Sequence, residues 1–315
     1  MQRLAVPLAA ALSAVLAVLC LSTGFAGMMG LPFVGVPVVR VAHRNGMGAG
    51  LLAGALAAIL FAGFAFLSAG TGDIVTPLTT MGLAAVLPAF FSGLVRGGAE
   101  PSREHLALAV SGCLVLAAVL LAPAPAGSEA VSEEIGKTFD ANIPGVLASY
   151  SKANVDAETM ARVKATLEAS RDFARRYWLG LIGAFWVLGS AVTYYTGAAF
   201  ARPAPSAERT RFEGFLLPAL VAPGFVAAGA VWALSGGLLR QAAGDVLIPL
   251  SALYFVAGLS IICHFARKWF RVRILRAGLY ALVAYPPMNV GVALLGLFDW
   301  YANFRHRGEE ARRQT

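Results

Sequence analysis

The chain has 315 residues, 58% of them hydrophobic and 13% charged, and its mean hydropathy is +0.70. A soluble domain carries about 25% charged residues, so a water-soluble enzyme or binding module is excluded. The net charge of +8 comes from arginines at the ends of apolar blocks, not from a basic patch laced with aromatics, which excludes nucleic acid as a partner.

Nine apolar segments follow one another at roughly 4–22, 24–40, 47–68, 74–95, 105–122, 177–200, 213–235, 246–265 and 277–299. Most approach the ~20 residues that an α-helix needs to cross a bilayer. The first starts after Arg3 like a signal peptide but lacks a small-residue cleavage site, so it is expected to stay as a membrane helix. Its Ala9, Ser13 and Ala17 form a row of small residues. The second segment is interrupted by Gly30, Pro32, Gly35 and Pro37 and is expected to bend or cross only partly. The third carries Gly46, Gly50, Gly54, Ala58 and Ala62 at every fourth position. Such rows let helices approach closely, chiefly within a bundle and alternatively at a docking face for another subunit. The tetrapeptide GTGD at 70–73 matches the GxGD of intramembrane aspartyl proteases, but that chemistry needs a facing aspartate, and none is placed mid-helix elsewhere. A glycine-rich turn is the better reading.

A polar insert separates segments five and six, dividing the chain into 1–122, 123–176 and 177–315. It carries Glu129, Glu133, Glu134, Asp140, Asp156, Glu158, Glu168 and Asp172. Val131, Ile135 and Phe139 recur at helical spacing until Pro144 interrupts. A second helix is expected from Asp156 as N-cap, with Met160, Val163 and Leu167 on one face, running through Tyr177 and Trp178 into segment six. In segment nine, Pro286 and Pro287 of YPPMN are expected to kink the helix.

Charge orients the segments. Arg40, Arg44, Arg96, Arg103, Arg202, Arg209, Arg211, Arg267, Lys268, Arg271, Arg273 and Arg276 all fall on one side if every segment crosses, and that side is cytoplasmic. The insert is then extracytoplasmic. Nine crossings would put Arg305, Arg307, Arg312 and Arg313 outside, against this bias, unless segment nine bends back.

Polar side chains at membrane depth tend to line cavities or pathways. Tyr194, Tyr195, Asp245, His264 and Asn289 are the ligand-cavity candidates, with YPPMN the foremost ligand-facing element. Scattered histidines give no metal cluster, and no HExxH, GxSxG or Walker lysine loop occurs. Cys20, Cys113 and Cys263 sit singly in apolar blocks, as buried thiols do. No catalytic residue, metal or cofactor is expected, and the chain is not expected to be an enzyme.

The closing GLFDWYANFR, at 296–305, resembles the ending of the YybS-like bacterial membrane proteins, a family defined as a domain of unknown function. Gly296, Asp299, Phe304 and Arg305 carry that resemblance. LYFVAGLSIICHFARKW at 253–269 is similar to the family's penultimate helix, WLGLIGAFWVLGSAVTYYTGAAFAR at 178–202 to the helix after its polar insert, and LPFVGVPVVRVAHRNG at 31–46 to its second segment. The family's N-terminal half is similar to the membrane substrate-binding subunits of energy-coupling-factor vitamin transporters. The resemblance implies that a small-residue row on the first helix, Ala10 with Ala14 or Ala9 with Ser13, docks a coupling subunit.

The expected protein is therefore an all-α, polytopic helix bundle of a bacterial inner membrane. Its expected role is to bind or move a small solute with an energising partner, or as a homo-oligomer. The alternative is a non-transporting scaffold acting through residues 128–172.

Overall fold

The computed structural model describes residues 4–22, 30–69, 127–153, 155–200, 212–218, 221–270, 272, 274–275, 279, 283 and 286–302. Apolar segments four and five, the GTGD turn with Asp73, and Arg202, Arg209, Arg211, Phe304 and Arg305 lie outside the described residues. The described elements are helical: α1 (Ala5–Ser22), α2 (Leu31–Val34), α3 (Val36–Asn45), α4 (Met47–Ala69), α5 (Gly127–Lys152), α6 (Ala157–Arg176), α7 (Trp178–Phe200), α8 (Val221–Leu234), α9 (Gly237–Trp269) and α10 (Pro286–Ala302). Three of them, α4, α7 and α9, are long and apolar enough to cross a bilayer, and α1, α8 and α10 are shorter apolar helices. The chain is an all-α helical membrane bundle.

Two compact units divide it. One comprises Met1–Gly112, Trp186–Ala222 and Ser251–Thr315; the other comprises Cys113–Phe185 and Pro223–Leu250.

In the first unit, α1 turns its small residues inward and its large ones outward. Ala9, Ala10, Ser13, Ala14 and Ala17 are buried, while Leu8 is 70% and Leu12 50% exposed. Helix α4 does the same: Ala53, Gly54 and Ala57 are buried and Ile59 is 65% exposed. Water would favour the reverse arrangement. In lipid, large side chains gain nothing by leaving the surface, and small ones let backbones pack closely. Two apolar clusters result, Ala9 with Val38, Val41, Ala42 and Ala53, and Ala10, Ala14 and Ala17 with Val34, Ala57 and Phe61. The small-residue rows thus serve internal packing: Gly50 is buried, Ala58 is half-buried, and the α1 row is covered by the chain's own helices.

The broken second segment forms α2 and α3, separated by Gly35, with Pro32 and Pro37 near their N-termini, where a missing amide donor costs nothing.

In the second unit, α5 and α6 form the insert's hairpin. Asp156 caps α6 as expected: the Thr159 amide donates to its Oδ1 at 2.8 Å and the Thr159 hydroxyl to its Oδ2 at 2.8 Å. Those bonds, the amide's first, hold the Asp156 carboxyl below its ordinary range. Arg171 ties the two helices through Asp140 at 2.8 Å. The expected interruption at Pro144 does not occur, and α5 continues through it to Lys152. Pro144 is exposed, and water can take up the carbonyl its missing N–H leaves open. Tyr177 alone separates α6 from α7, so the insert runs into the membrane segment with hardly a break.

Segment seven departs from a full span. A 3-10 turn at Phe212–Gly214 and non-helical residues 215–218 precede a helix of only 14 residues. At 1.5 Å per residue α8 spans about 21 Å, short of the ~30 Å hydrocarbon core. Gly214 and Pro218 disfavour helix over 215–218, whereas Pro223 sits in the first turn of α8, where proline is tolerated. Segment eight is longer than expected, 33 residues, and places Asp245 inside α9.

In segment nine, Pro286 and Pro287 stand at the first positions of α10, where a missing amide donor costs nothing; residues 284–285, and with them the expected kink, lie outside the described residues.

Candidate functional site

Within the first unit, α7 meets α2 and α3 along Gly189, Thr193 and Gly197, one residue per helical turn. The Thr193 hydroxyl donates to the Pro32 carbonyl, and a Cβ on Gly197 would stand 2.6 Å from Val39 Cβ. This contact fixes Tyr194, which is fully buried, with its ring edge-on to His43 at 5.8 Å. His43 Nδ1 is 3.0 Å from the Val39 carbonyl. Tyr195 follows, its ring 5.1 Å from Tyr194, 4.8 Å from Phe212 and 6.3 Å from Phe215.

Phe212 and Phe215 belong to the irregular stretch before α8. Phe215 is fully buried among Ala191, Val256 and Ala257. The Ser260 hydroxyl lies 3.2 Å from the Phe215 carbonyl and 2.7 Å from that of Ala257. Glu213, 17% exposed, pairs with Arg267 at 2.6 Å. The result is a polar seam (His43, Tyr194, Tyr195, Glu213, Ser260, Arg267) beside non-helical backbone. Irregular backbone persists in a membrane protein where it is buried in protein or lines a cavity.

The second unit holds a separate polar cluster. Gln241, Gly244 and Asp245 share one face of α9 at i, i+3 and i+4. Gln241 donates to the Arg176 carbonyl at 2.9 Å, at the end of α6. A Cβ on Gly244 would collide with the Tyr177 ring. Asp245 Oδ1 accepts the Gly180 amide at 2.8 Å. Gly180 sits in the first turn of α7, where amides have no intrahelical acceptor and the helix dipole favours an anion. Asp245 therefore caps α7 from another helix. The carboxylate costs free energy to hold in an apolar span, and this bond offsets part of that cost. Asp245→Ala is expected to destabilise the protein by about 1–3 kcal/mol by orphaning the Gly180 amide. Asp245→Asn, which keeps an acceptor oxygen, should recover most of that in thermal unfolding in detergent.

The sequence-predicted candidates thus separate. Tyr194 and Tyr195 meet in the seam, while Asp245 belongs to the other unit. His264 packs against Phe265 at 5.3 Å, and Asn289 is exposed on α10. Gly296 of the closing motif lies where α10 crosses α9, and Asp299 is buried on the same helix. Sequence reasoning missed Glu213, Ser260 and the Gly189–Thr193–Gly197 row. The row is legible in GSAVTYYTG, but Glu213 was counted as the edge of a full span.

The family model described as "Predicted membrane protein (DUF2232)" matches residues 11–300. No curated protein and no solved structure matches the chain.

Proposed function

The chain belongs to the DUF2232 family of membrane proteins, and from that premise we propose that it binds a small polar solute within its helix bundle. The observation that carries this reading is the irregular stretch 212–218, with Glu213 and Ser260, near buried Tyr194 and half-buried Tyr195 and ahead of a helix of only 14 residues. Broken helices of this kind present freed backbone and polar side chains to ligands in membrane carriers. The role is binding, not bond-making. ATP-driven movement of the solute would draw on a partner, because the sequence contains no nucleotide-binding lysine loop.

In this proposal the protein is a multi-pass component of a bacterial inner membrane, with Arg40, Arg44, Arg267 and Lys268 at the cytoplasmic side and the α5–α6 hairpin outside. Placement of arginine-rich helix ends in the cytoplasm supports it. The similarity to YybS-like proteins and to vitamin-transporter substrate subunits remains part of the same proposal. A coupling subunit would dock away from the α1 small-residue row, which is buried.

The test is thermal stabilisation of purified protein by a panel of amino acids, vitamins, nucleobases and inorganic cations. Wild type is expected to respond to one chemical class, and Glu213→Gln and Tyr194→Phe are expected to weaken that response about tenfold, the worth of a charge-assisted hydrogen bond. The proposal fails if no class stabilises wild type, or if both variants respond as wild type does.

A second reading, a scaffold, draws on the outward Val146, Tyr150 and Phe173 of the hairpin. It expects that deleting 128–172 removes a co-purifying envelope protein while those point variants change nothing.

A further inference from the structure

The turn between α8 and α9 has the composition of a buried core on an open surface. Leu234 is 88%, Leu238 84% and Leu239 60% exposed, around Ser235, Gly236 and Gly237. A turn in water would carry polar residues. Apolar residues flanking a turn at the ends of apolar helices belong at the edge of the hydrocarbon, where Trp and Tyr are also enriched.

Two guanidinium groups sit there. Arg240 lies over the Trp232 ring at 4.8 Å, and its Nε is buried with no hydrogen-bond partner. The Trp232 indole donates to the Tyr177 hydroxyl at 3.2 Å, and Arg176 lies 5.9 Å from the Tyr177 ring centroid. Neither arginine has a carboxylate partner among the described residues. Contrast Arg162 and Arg171, on the hairpin, which both pair with acids. The first amides of α9 lie beside Arg240, adding helix-terminal donors with no acceptor in their own turn.

An unpaired arginine with a buried donor is costly in an apolar setting unless an anion completes it. The Trp232 ring 4.8 Å away holds the guanidinium in place, and its fork of donors suits a tetrahedral oxyanion. The exposed leucines on either side fit acyl chains at the same depth. We propose that Arg240 and Arg176, on the Trp232–Tyr177 pair, bind the phosphate of an anionic phospholipid headgroup at the junction of the insert with the membrane. The interaction is independent of the solute seam in the first unit.

The test uses the full chain in mild detergent, with native mass spectrometry and thermal unfolding after adding phosphatidylglycerol, phosphatidylcholine or inorganic phosphate. Wild type is expected to retain phosphatidylglycerol in preference to phosphatidylcholine. Arg176→Gln with Arg240→Gln is expected to weaken that retention about tenfold, by loss of charge-assisted bonds. Arg162→Gln with Lys164→Gln, a charge-matched change on the hairpin, should leave it untouched. The double variant must show wild-type helicity, and Arg240→Lys, which keeps the charge without the stacked fork, should fall between. Equal retention of the two lipids by wild type, or of phosphatidylglycerol by wild type and the double variant, overturns the proposal. Stabilisation by inorganic phosphate without selective lipid retention overturns the lipid source and assigns the arginines to a free anion.

Discussion

Replacing Gly258 or Gly296 with alanine is expected to cost about 3 kcal/mol each, at the upper end of what overpacking exacts. At this crossing α9 and α10 touch backbone to backbone. A Cβ on Gly258 would collide with the Val292 carbonyl oxygen, and one on Gly296 with the Tyr254 carbonyl oxygen and, at 2.8 Å, the Gly258 amide nitrogen. Neither obstacle is a side chain that can rotate away. The helices would have to separate, losing the close packing that holds membrane helices together where no hydrophobic force does so. Because both glycines serve one crossing, the double variant should cost less than the sum of the singles.

Gly291, on the same helix α10, provides the control. Nothing lies within 4 Å of a Cβ there, so Gly291→Ala should be neutral or gain about 0.5–1 kcal/mol from reduced backbone entropy. Thermal unfolding in detergent reads all three. If Gly258→Ala melts with wild type, the crossing is not as close as described. The result also bears on the closing motif, since it gives Gly296 a steric reason for its place beside Asp299.

How much of this was legible depended on whether the physics was local. The small row of α1, the Asp156 cap and the broken α2–α3 follow from spacing and from what proline and glycine do to a helix, and they stand as read. The α4 row holds at Gly50 and Gly54, whereas Gly46 ends α3 and the buried face runs through Ala53 and Ala57. Of the proline signals, Pro144 misled, since α5 runs through it to Lys152, while the residues before Pro286–Pro287 lie outside the described ones. The irregular backbone lies at 212–218, where hydropathy alone reads a continuous span. Hydropathy counts apolar side chains and is blind to whether Gly214 and Pro218 leave room for a helix. Asp245 was recognised as a costly polar residue, but its partner, an amide at the start of α7, is 65 positions away in sequence. Gln241 and Gly244 gave no signal, because their meaning comes only from what faces them. The α9–α10 crossing was invisible for the same reason: Gly258 and Gly296 look like any glycines until each meets the other helix's backbone.

Phe215→Ala should produce the second large effect, a loss of about 3–5 kcal/mol, the range for truncating a buried phenylalanine. The ring is fully buried among Ala191, Val256 and Ala257, with Tyr195 packed against it, and the two alanines cannot close over the space it would leave. Its other anchor, the Ser260 hydroxyl on the Phe215 carbonyl, survives the substitution because it binds backbone. That hydroxyl also reaches the Ala257 carbonyl at 2.7 Å, so its bond to Phe215 is shared. Hydrogen bonds between membrane helices average about 0.6 kcal/mol, so Ser260→Ala should cost several-fold less than Phe215→Ala. Packing, not the hydroxyl, then holds the irregular stretch in place. Glu213 and Tyr195 flank that stretch, so Phe215→Ala should abolish solute-induced stabilisation together with stability, while Phe215→Leu restores most of both. Equal losses from Phe215→Ala and Ser260→Ala would mean that the stretch is held by its hydrogen bond, and the seam would have to be rebuilt around Ser260.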